Sequence, residues 1–521
     1  MTNIEKTVKN SIYSIVARIV IIILGFVNRE LFIRNLNIEL LGYTSLFSNV
    51  FSLLSLAELG VGNIISFHLY KEVQNGNEDE IGKLMFIYKW FYRLVAIFVL
   101  ICGIALTPFL KFIIKDNSYD FKLIYIVYFL SLLSIISGYF LSYRRAIFVV
   151  TQQEYKCEKA DLLASLITYV IRFIVLVTCK NFILYLVVGI FTGIIANLKI
   201  FVETNEQYPY IKNRYSINKK YLSDRNIFKD VANFFVVRIA TTVYGATDNI
   251  IISAFLGIKT VALYSNYTLI SSEVNNLLVF RLLNPLQATL GNLLYSNKTK
   301  KELWDQFEML DIFSYYMATY ICLGYFIFYQ LFITVWLGSQ YLVSNYFVML
   351  YCMTIYFIIL WEIVCKYRSC FGNYEKDTLL MIASAVLNLV ISIVASKYMG
   401  LAGIQLGTLI GWFMIGISRV RQVVGFYFNK PIISYVIKHL LLSLTAFGQC
   451  IFSFFITRQF GVNFIGFIVR LLIWITFPLI FNTLFSFRNP YFNSFKNYIF
   501  KTLVASLNLL KLKIKIRGTN E

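Results

Sequence analysis

Apolar runs about twenty residues long follow one another along most of the chain, separated by short polar interruptions. A helix of about 20 residues crosses the hydrocarbon core of a bilayer, so each run predicts one membrane-spanning helix. The runs predict about fourteen spans, at residues 11–34, 43–70, 84–110, 121–148, 160–179, 182–201, 229–255, 262–292, 309–336, 346–366, 378–397, 401–427, 436–457 and 463–487. We therefore expect an all-α integral membrane protein.

Composition supports the same class and excludes others. The 521 residues are 58% hydrophobic and 14% charged, and a soluble chain of this length would need more polar surface. The eight cysteines lie mostly within or at the ends of apolar runs, without a CxxC pair, which is typical of reduced packing residues. We expect no disulfide framework, no metal site and no cofactor, and the chain lacks a GxxxxGK[ST] nucleotide-binding loop.

Basic residues alternate in density from one predicted loop to the next. The net charge is +21, and in a membrane protein such an excess indicates cytoplasmic loops, so we expect no nucleic-acid partner. The basic set comprises loops near Lys6, Lys71, Arg144, Lys212, Lys298, Lys366 and Lys430 and the C-terminal tail. This places both termini in the cytoplasm. The tail from about Phe495 suits either an amphipathic segment on anionic lipid or a solvated basic extension.

A spacing in the first predicted span recurs in the seventh after 220 residues, with Arg18, Gly25 and Asn28 matched by Arg238, Gly245 and Asp248. Chance is the alternative, because only three positions match. A repeat unit of six helices returns the chain to its starting side, so the two copies would be parallel. We expect two six-helix lobes around a central cationic cavity: an N-lobe with its linker at 1–227, a C-lobe at 228–430, and two further helices with a basic tail at 431–521.

Several ionisable residues fall well inside predicted spans: Arg18, Glu58, Arg172, Arg238, Asp248, Glu273, Arg281, Glu362 and Arg470. Each costs about 2.5 to 3.5 kcal/mol at the centre of an isolated membrane helix, so the chain must supply water or partners. Arginine is the main cation at depth, and its planar fork of donors matches phosphate oxygens. These residues predict a polar interior suited to an anionic ligand.

Each of these residues also has a structural interpretation. Arg18 can snorkel to the interface instead of lining a cavity, and Arg172 can be a cavity residue or a paired core ion. Asp248 and Glu273 can neutralise neighbouring arginines, act as a gate or bind substrate. We favour an interfacial role over a proton relay for the two histidines, His68 and His439, since both lie near span ends.

Three segments resemble a known family: the first helix with Arg18, LAELGVGNII (Leu56 to Ile65), and TDNIIISAFLGIKTVALY (Thr247 to Tyr264). They are similar to the Wzx-type polysaccharide flippases of the multidrug/oligosaccharidyl-lipid/polysaccharide exporter superfamily. The resemblance implies transport of undecaprenyl-pyrophosphate-linked oligosaccharide units across the bacterial cytoplasmic membrane by alternating access, for O-antigen, capsule or exopolysaccharide assembly. It implies no enzyme activity, and contacts with membrane lipids and other polysaccharide-assembly proteins.

Carried onto this sequence, the resemblance implies a substrate-binding set of Arg18, Asn28, Arg29, Arg172, Arg238 and Arg281, and a coupling or gating set of Glu58, Asp248 and Glu273. Two other functions stay open. One is a multidrug or metabolite exporter of the same superfamily, and the other is a polytopic polysaccharide polymerase or glycosyltransferase.

Overall fold

The computed structural model describes residues 3–55, 61–115, 119–151, 153–213, 215, 247–294, 298–370, 375–487 and 489–497. Side chains are described for these residues except 3–17, 61–64, 67, 280, 281, 285, 288, 289, 292 and 375–378. Within this part of the chain the secondary structure is helical throughout, with no strand. The expectation of an all-α protein is confirmed.

The helices of the first half are α1 (Asn3–Leu36), α2 (Ile38–Leu54), α3 (Val61–Asn75), α4 (Glu78–Leu106), α5 (Leu110–Ile113), α6 (Phe121–Ser142), α7 (Arg145–Val150), α8 (Glu154–Thr178) and α9 (Phe182–Gln207). The later ones are α10 (Thr247–Leu256), α11 (Ile258–Val274), α12 (Arg281–Leu294), α13 (Lys300–Trp336), α14 (Asn345–Leu360), α15 (Glu362–Cys370), α16 (Glu375–Met399), α17 (Leu401–Val420), α18 (Ile432–Thr457) and α19 (Phe464–Ser486).

Ten helical stretches in the described residues are long and apolar enough to cross a membrane. They correspond to the predicted third to sixth and ninth to fourteenth spans, so the protein is a multi-pass membrane protein. The other four predicted spans fall on α1, on α2 with α3, on residues largely outside the described part, and on α11 with α12. The count of fourteen therefore stays a prediction.

Polar side chains begin several of these helices by accepting hydrogen bonds from free backbone N–H groups. Asn77, Asp120 and Asn181 do so at α4, α6 and α9. Thr299 and Glu302 form a reciprocal capping box at the start of α13. Such caps contribute about 0.5 to 2 kcal/mol each, and they fix where each apolar helix begins.

Small residues set the closest helix approaches. An added Cβ at Gly403 would collide with the backbone of Ala395, and the carbonyl of Gly411 accepts the Ser384 hydroxyl at 2.8 Å. These contacts join α17 to α16, and the small residues let the two helices approach closely. The connection between the two helices turns at Gly400, whose φ of 57° favours glycine.

The chain divides into two compact units. The first comprises residues 1–269 and 389–404, and the second comprises 270–388 and 405–521. The sequence-based boundaries at 227 and 430, and the arrangement of parallel lobes, stay predictions.

In the first unit, aromatic contacts hold α6 and α9 in place. Tyr128 of α6 packs on Phe47 and Phe51 of α2, with ring centroids 5.1 and 4.9 Å away, and its hydroxyl donates to the Gly103 carbonyl at 2.7 Å. Phe32 of α1 lies 4.9 Å from the Tyr185 ring of α9. Since aromatic side chains bury large areas, these contacts fix α2, α6 and α9 as the walls of an internal space.

In the second unit, an aromatic cluster surrounds Phe307 of α13. Its ring lies 5.2 Å from Tyr367, 5.3 Å from Phe428 and 6.0 Å from Tyr435. Tyr367 belongs to α15 and Tyr435 to α18, so the cluster locks the first turns of α18 against α13. The cluster thereby sets the positions of the polar side chains on α13 and α18 next to it.

Gly42 offers a test of the packing in the first unit. An added Cβ would collide with the Ile258 carbonyl, which is backbone and cannot move aside, so Gly42→Ala should cost about 1 to 3 kcal/mol. Gly138→Ala is the matched control, because no atom lies within 4 Å of its added Cβ. Thermal unfolding of the purified protein should show a lower midpoint for the first variant alone; equal midpoints would contradict this contact between α2 and α11.

Candidate functional site

A polar cavity of about 350 Å³ lies inside the first unit. Its walls come from α2, α6, α8 and α9, and its polar lining consists of Thr44, Ser48, Ser131, Ser134, Thr168 and Arg172. We call it the Arg172 cavity. It carries one cation and several hydroxyl groups, which is a lining suited to an anionic or sugar-like ligand.

Arg172 is held by the neighbouring helix. Its guanidinium lies 4.2 Å from the Tyr185 ring centroid, and its Nε donates to the Tyr185 carbonyl at 3.1 Å. Neither terminal nitrogen donates a hydrogen bond to a described residue. The cation is therefore fixed through one edge, while its other donors remain available to a ligand. Of the two interpretations made from the sequence, the structure favours a cavity residue over a paired core ion.

The absence of a side chain at Gly189 makes this arrangement possible. A Cβ at Gly189 would collide with Nη2 of Arg172. Gly193, one turn later on α9, has no atom within 4 Å of an added Cβ. Gly189 therefore provides the space that the guanidinium occupies.

Arg29 lies apart from this cavity lining and ties two helices together. Its Nε donates to Oδ1 of Asn266 at 2.9 Å, and its Nη2 donates to the Ser265 hydroxyl. Asn266 is fully buried. The arginine thus links α1 to α11. Asn28 beside it is also buried, and its amide donates to the Leu24 carbonyl at 3.0 Å.

The structure describes some of the remaining predicted site residues and not others. Asp248 is buried and accepts the Tyr264 hydroxyl at 3.2 Å, which joins α10 to α11. Arg18 and Glu273 are half-buried on α1 and α11, and both have interaction partners. Glu58, Arg238 and the Arg281 side chain lie outside the described residues.

The proposed repeat can be followed at one position only. Asn28 and Asp248 are both buried, as matched positions would be. Arg238 and Gly245 lie outside the described residues. The repeat therefore stays a prediction.

Sequence reasoning missed a buried ionic cluster in the second unit. It consists of Glu308 and Asp311 on α13 with Tyr435, Lys438 and His439 on α18. His439 is 4% exposed and packs between helices, and the interfacial position expected for it stays a prediction. One sequence signal could have found the cluster. Two acids, Glu308 and Asp311, lie at the start of the predicted span 309–336, and two bases, Lys438 and His439, lie at the start of the predicted span 436–457.

In the described ranges, no group of three or more His, Cys, Asp and Glu side chains is arranged to hold a metal ion.

The fold and the cavity define a class, that of multi-pass helical membrane proteins with a polar cavity between their helices. Residues 7–282 match the family described as "Polysaccharide biosynthesis protein". The chain belongs to this family, which confirms the resemblance seen in the sequence. No curated protein matches the chain.

Solved structures share the fold. The chain is similar to a lipid II flippase MurJ in an inward closed conformation, with 14% identity and a TM-score of 0.70, over 91% of this chain and 99% of that one. It is also similar to an inward-facing multidrug resistance transporter of the MATE family, with 13% identity and a TM-score of 0.57, over 78% of this chain and 96% of that one.

The contacts of Arg29 predict a structural contribution that can be measured. Arg29→Ala should lower the free energy of unfolding by about 1 to 3 kcal/mol, because buried Asn266 loses its donor. Arg34→Ala is the control on the same helix. Its side chain is 68% exposed and paired with Glu30, and such surface pairs contribute at most about 1 kcal/mol. Equal stability of the two variants in detergent would refute a structural role for Arg29.

Proposed function

We propose that this protein is a flippase for undecaprenyl-pyrophosphate-linked oligosaccharide repeat units. It moves them from the inner to the outer leaflet of the bacterial cytoplasmic membrane by alternating access, and the units feed surface polysaccharide assembly such as O-antigen or capsule. The family and the flippase-like fold support a lipid-linked substrate. In this proposal both termini are cytoplasmic, since the basic loops lie on that side.

The Arg172 cavity is the observation that carries the proposal. Its guanidinium is held in place by Tyr185, and hydroxyl groups of three helices face the same space. Bidentate and charge-assisted hydrogen bonds from arginine suit phosphate oxygens, and hydroxyls suit phosphate or sugar. A site with a fixed cation and open donors compensates an anionic head group for the water that it loses inside the bilayer region.

The wider site combines Arg172 with the residues expected from the sequence. Arg18, Asn28, Arg29, Arg238 and Arg281 complete the proposed substrate-binding set. Glu58, Asp248 and Glu273 are the proposed gating set, and the bond between Asp248 and Tyr264 is a contact that a rearrangement of α10 against α11 would break.

The membrane potential favours the proposed direction of transport. A pyrophosphate head group carries about two negative charges, and each charge that moves outward across an inside-negative membrane gains about 2.3 kcal/mol per 100 mV. The total of about 4 to 5 kcal/mol per 100 mV makes nucleotide hydrolysis unnecessary.

The fold is also compatible with a multidrug exporter, because a transporter of that class shares it. The charge of the cavity separates the two functions. A fixed arginine repels the cationic compounds that many drug exporters carry, and it attracts an anion. The Arg172 cavity therefore favours the anionic lipid-linked substrate.

The function can be tested in cells that lack the gene and carry it on a plasmid. Arg172→Ala should reduce surface polysaccharide about tenfold or more at equal protein level, since a hydrogen bond to a charged group contributes about 1.5 to 3 kcal/mol. Arg172→Lys should restore only part of the surface polysaccharide, because lysine lacks the planar fork of donors. Lipid-linked units should accumulate on the inner leaflet of the deletion strain.

Other outcomes would point to the rival functions. A normal amount of surface polysaccharide in the Arg172→Ala strain would show that Arg172 does not belong to the substrate site. Single repeat units on the cell surface of the deletion strain would indicate a polymerase. Unchanged polysaccharide with altered efflux of a cationic dye would indicate a drug exporter.

A glycine variant tests the position of the guanidinium without removing its charge. Gly189→Ala should displace Arg172, because the new Cβ occupies the place of Nη2 and the flexible side chain moves aside. Surface polysaccharide should fall between the levels of the wild type and Arg172→Ala. Gly193→Ala on the same helix should match the wild type. Equal export by the two alanine variants would show that the guanidinium needs no fixed position.

A further inference from the structure

The buried ionic cluster of the second unit, which we call the Asp311 cluster, has close internal contacts. Lys438 Nζ lies 2.7 Å from Oε2 of Glu308 and 2.9 Å from Oδ2 of Asp311. Asp311 also accepts the Tyr435 hydroxyl at 2.6 Å and His439 Nε2 at 3.0 Å. Asp311 is 1% exposed and Glu308 is 7% exposed, so both carboxylates are withdrawn from solvent.

The formal charges of the cluster do not cancel. Two carboxylates face one ammonium group, so the cluster carries one net negative charge when His439 is neutral. A buried charge without compensation costs several kcal/mol. One added positive charge would remove this cost.

No second cation pairs with the two carboxylates among the described residues. Other titratable groups near Asp311 and Tyr435 are Tyr315 on α13, Tyr356 on α14 and Cys365 on α15, all neutral near pH 7.

Two cations belong to elements that pack near the cluster. Arg419 on α17 donates a hydrogen bond to Cys365, and Lys496 follows Phe495, which packs on Ile312. Neither pairs with Asp311 or Glu308, whose partners are Lys438, His439 and Tyr435. Near Glu308, Tyr491 lies beside Asp305. The imbalance within the cluster therefore persists among the described residues.

His439 has a free basic position for the missing charge. Because a carboxylate only accepts, Nε2 must carry the hydrogen that points to Asp311. Nδ1 of the neutral ring is then a base, and it is buried without a hydrogen-bond partner among the described residues. A proton bound at Nδ1 would turn the ring into an imidazolium that compensates the second carboxylate.

A cavity lies beside the cluster. It has a volume of about 210 Å³ and is lined by the polar Asp311, Tyr315, Lys438, Ser486 and Asn489 and by the apolar Ile312, Leu442 and Phe485. This volume holds several water molecules, and the polar part of its wall offers them hydrogen-bond partners. Water there would contact Asp311 and Lys438, whereas His439 borders a separate apolar cavity of about 20 Å³.

Buried polar atoms continue from the cluster along α18. Tyr315 bonds Thr445 at 2.8 Å and donates to Asn482 at 3.0 Å, and Gln449 donates to the same Asn482 oxygen at 3.1 Å. Buried atoms without a partner among the described residues follow this line: Ser314 Oγ, Gln449 Oε1, Ser453 Oγ and Asn482 Nδ2. Buried polar atoms are normally paired with protein or ordered water, so this line indicates internal hydration.

We propose that the Asp311 cluster is a proton-binding site. The proton binds Nδ1 of His439 and leaves from the same atom, while Asp311 and Glu308 stay ionised and Lys438 stays charged. No other bond forms or breaks. A role for this proton in driving transport rests on the proposed function, whereas its binding does not.

The two histidines of the chain allow a direct test. In full-length protein labelled with ¹⁵N-histidine in lipid nanodiscs, His68→Asn leaves the His439 ring as the single signal. That signal should change from neutral to charged as the pH is lowered through the range in which the protein stays folded. Adding Asp311→Asn should lower the midpoint by about one pH unit or more, because a nearby carboxylate favours the charged ring.

Asp305→Asn, on the same helix, is the matched control and should leave the midpoint unchanged. If Asp311→Asn does not fold, Glu308→Gln should give a smaller shift in the same direction. A ring signal that stays constant over this range would overturn the proposal, as would an Asp311→Asn midpoint equal to that of the control. A signal that follows sodium concentration at fixed pH would show a metal cation instead.

Transport is tested separately with His439→Gln, which can still donate to Asp311 but cannot bind a proton. At equal protein level, this variant should export less surface polysaccharide. The proton-binding site itself is tested by the titration of His439 in the parent protein, not by this transport assay. Wild-type export by this variant would overturn the coupling role and leave the binding site intact. Failure of the flippase proposal would leave the nuclear magnetic resonance result unaffected.

Discussion

Polar groups within the membrane-spanning part of this protein must find their partners inside the protein, because hydrocarbon offers none. The backbone meets this constraint by forming helices, whose hydrogen bonds are internal to each segment. Side chains meet it in different ways. Arg29 binds the buried Asn266, Arg172 lies on Tyr185 beside a polar cavity, and Asp311 accepts three donors. The arrangement of helices follows from these pairings as much as from apolar packing.

The same constraint explains why two arginines of similar appearance in the sequence differ in the fold. Arg29 donates from Nε and Nη2 to two side chains of α11, so the protein holds its guanidinium at two points. Arg172 donates only from Nε, to a backbone carbonyl. A guanidinium whose two terminal nitrogens face a cavity can bind a ligand with both, whereas one held at two points by side chains also stabilises the fold. The difference lies in the partner helix, which the sequence around each arginine does not reveal.

Apolar run length predicted the ten long helices to within a few residues at most ends, because hydropathy depends on local sequence alone. The cost of a charge at depth predicted only that Arg172 needs water or a partner, and left a cavity residue and a paired core ion equally open. The Asp311 cluster did not follow, since Asp311 and His439 are 128 residues apart and each lies near the end of its span. A charge near a span end is compatible with an interfacial position, and the contacts that bring the two helices together, such as Tyr435 on Phe307 and Tyr315 with Thr445, join residues far apart in sequence.

The two polar sites have opposite electrostatic character. The Arg172 cavity presents a cation with free donors, and the Asp311 cluster carries one excess negative charge while His439 is neutral. In the proposed transport cycle the first site would hold an anion that moves outward and the second a proton that moves inward. Both movements run with an inside-negative potential, and each charge contributes about 2.3 kcal/mol per 100 mV. Proton binding would therefore add to the force that drives the head group outward, because the potential acts on both ligands in the same sense.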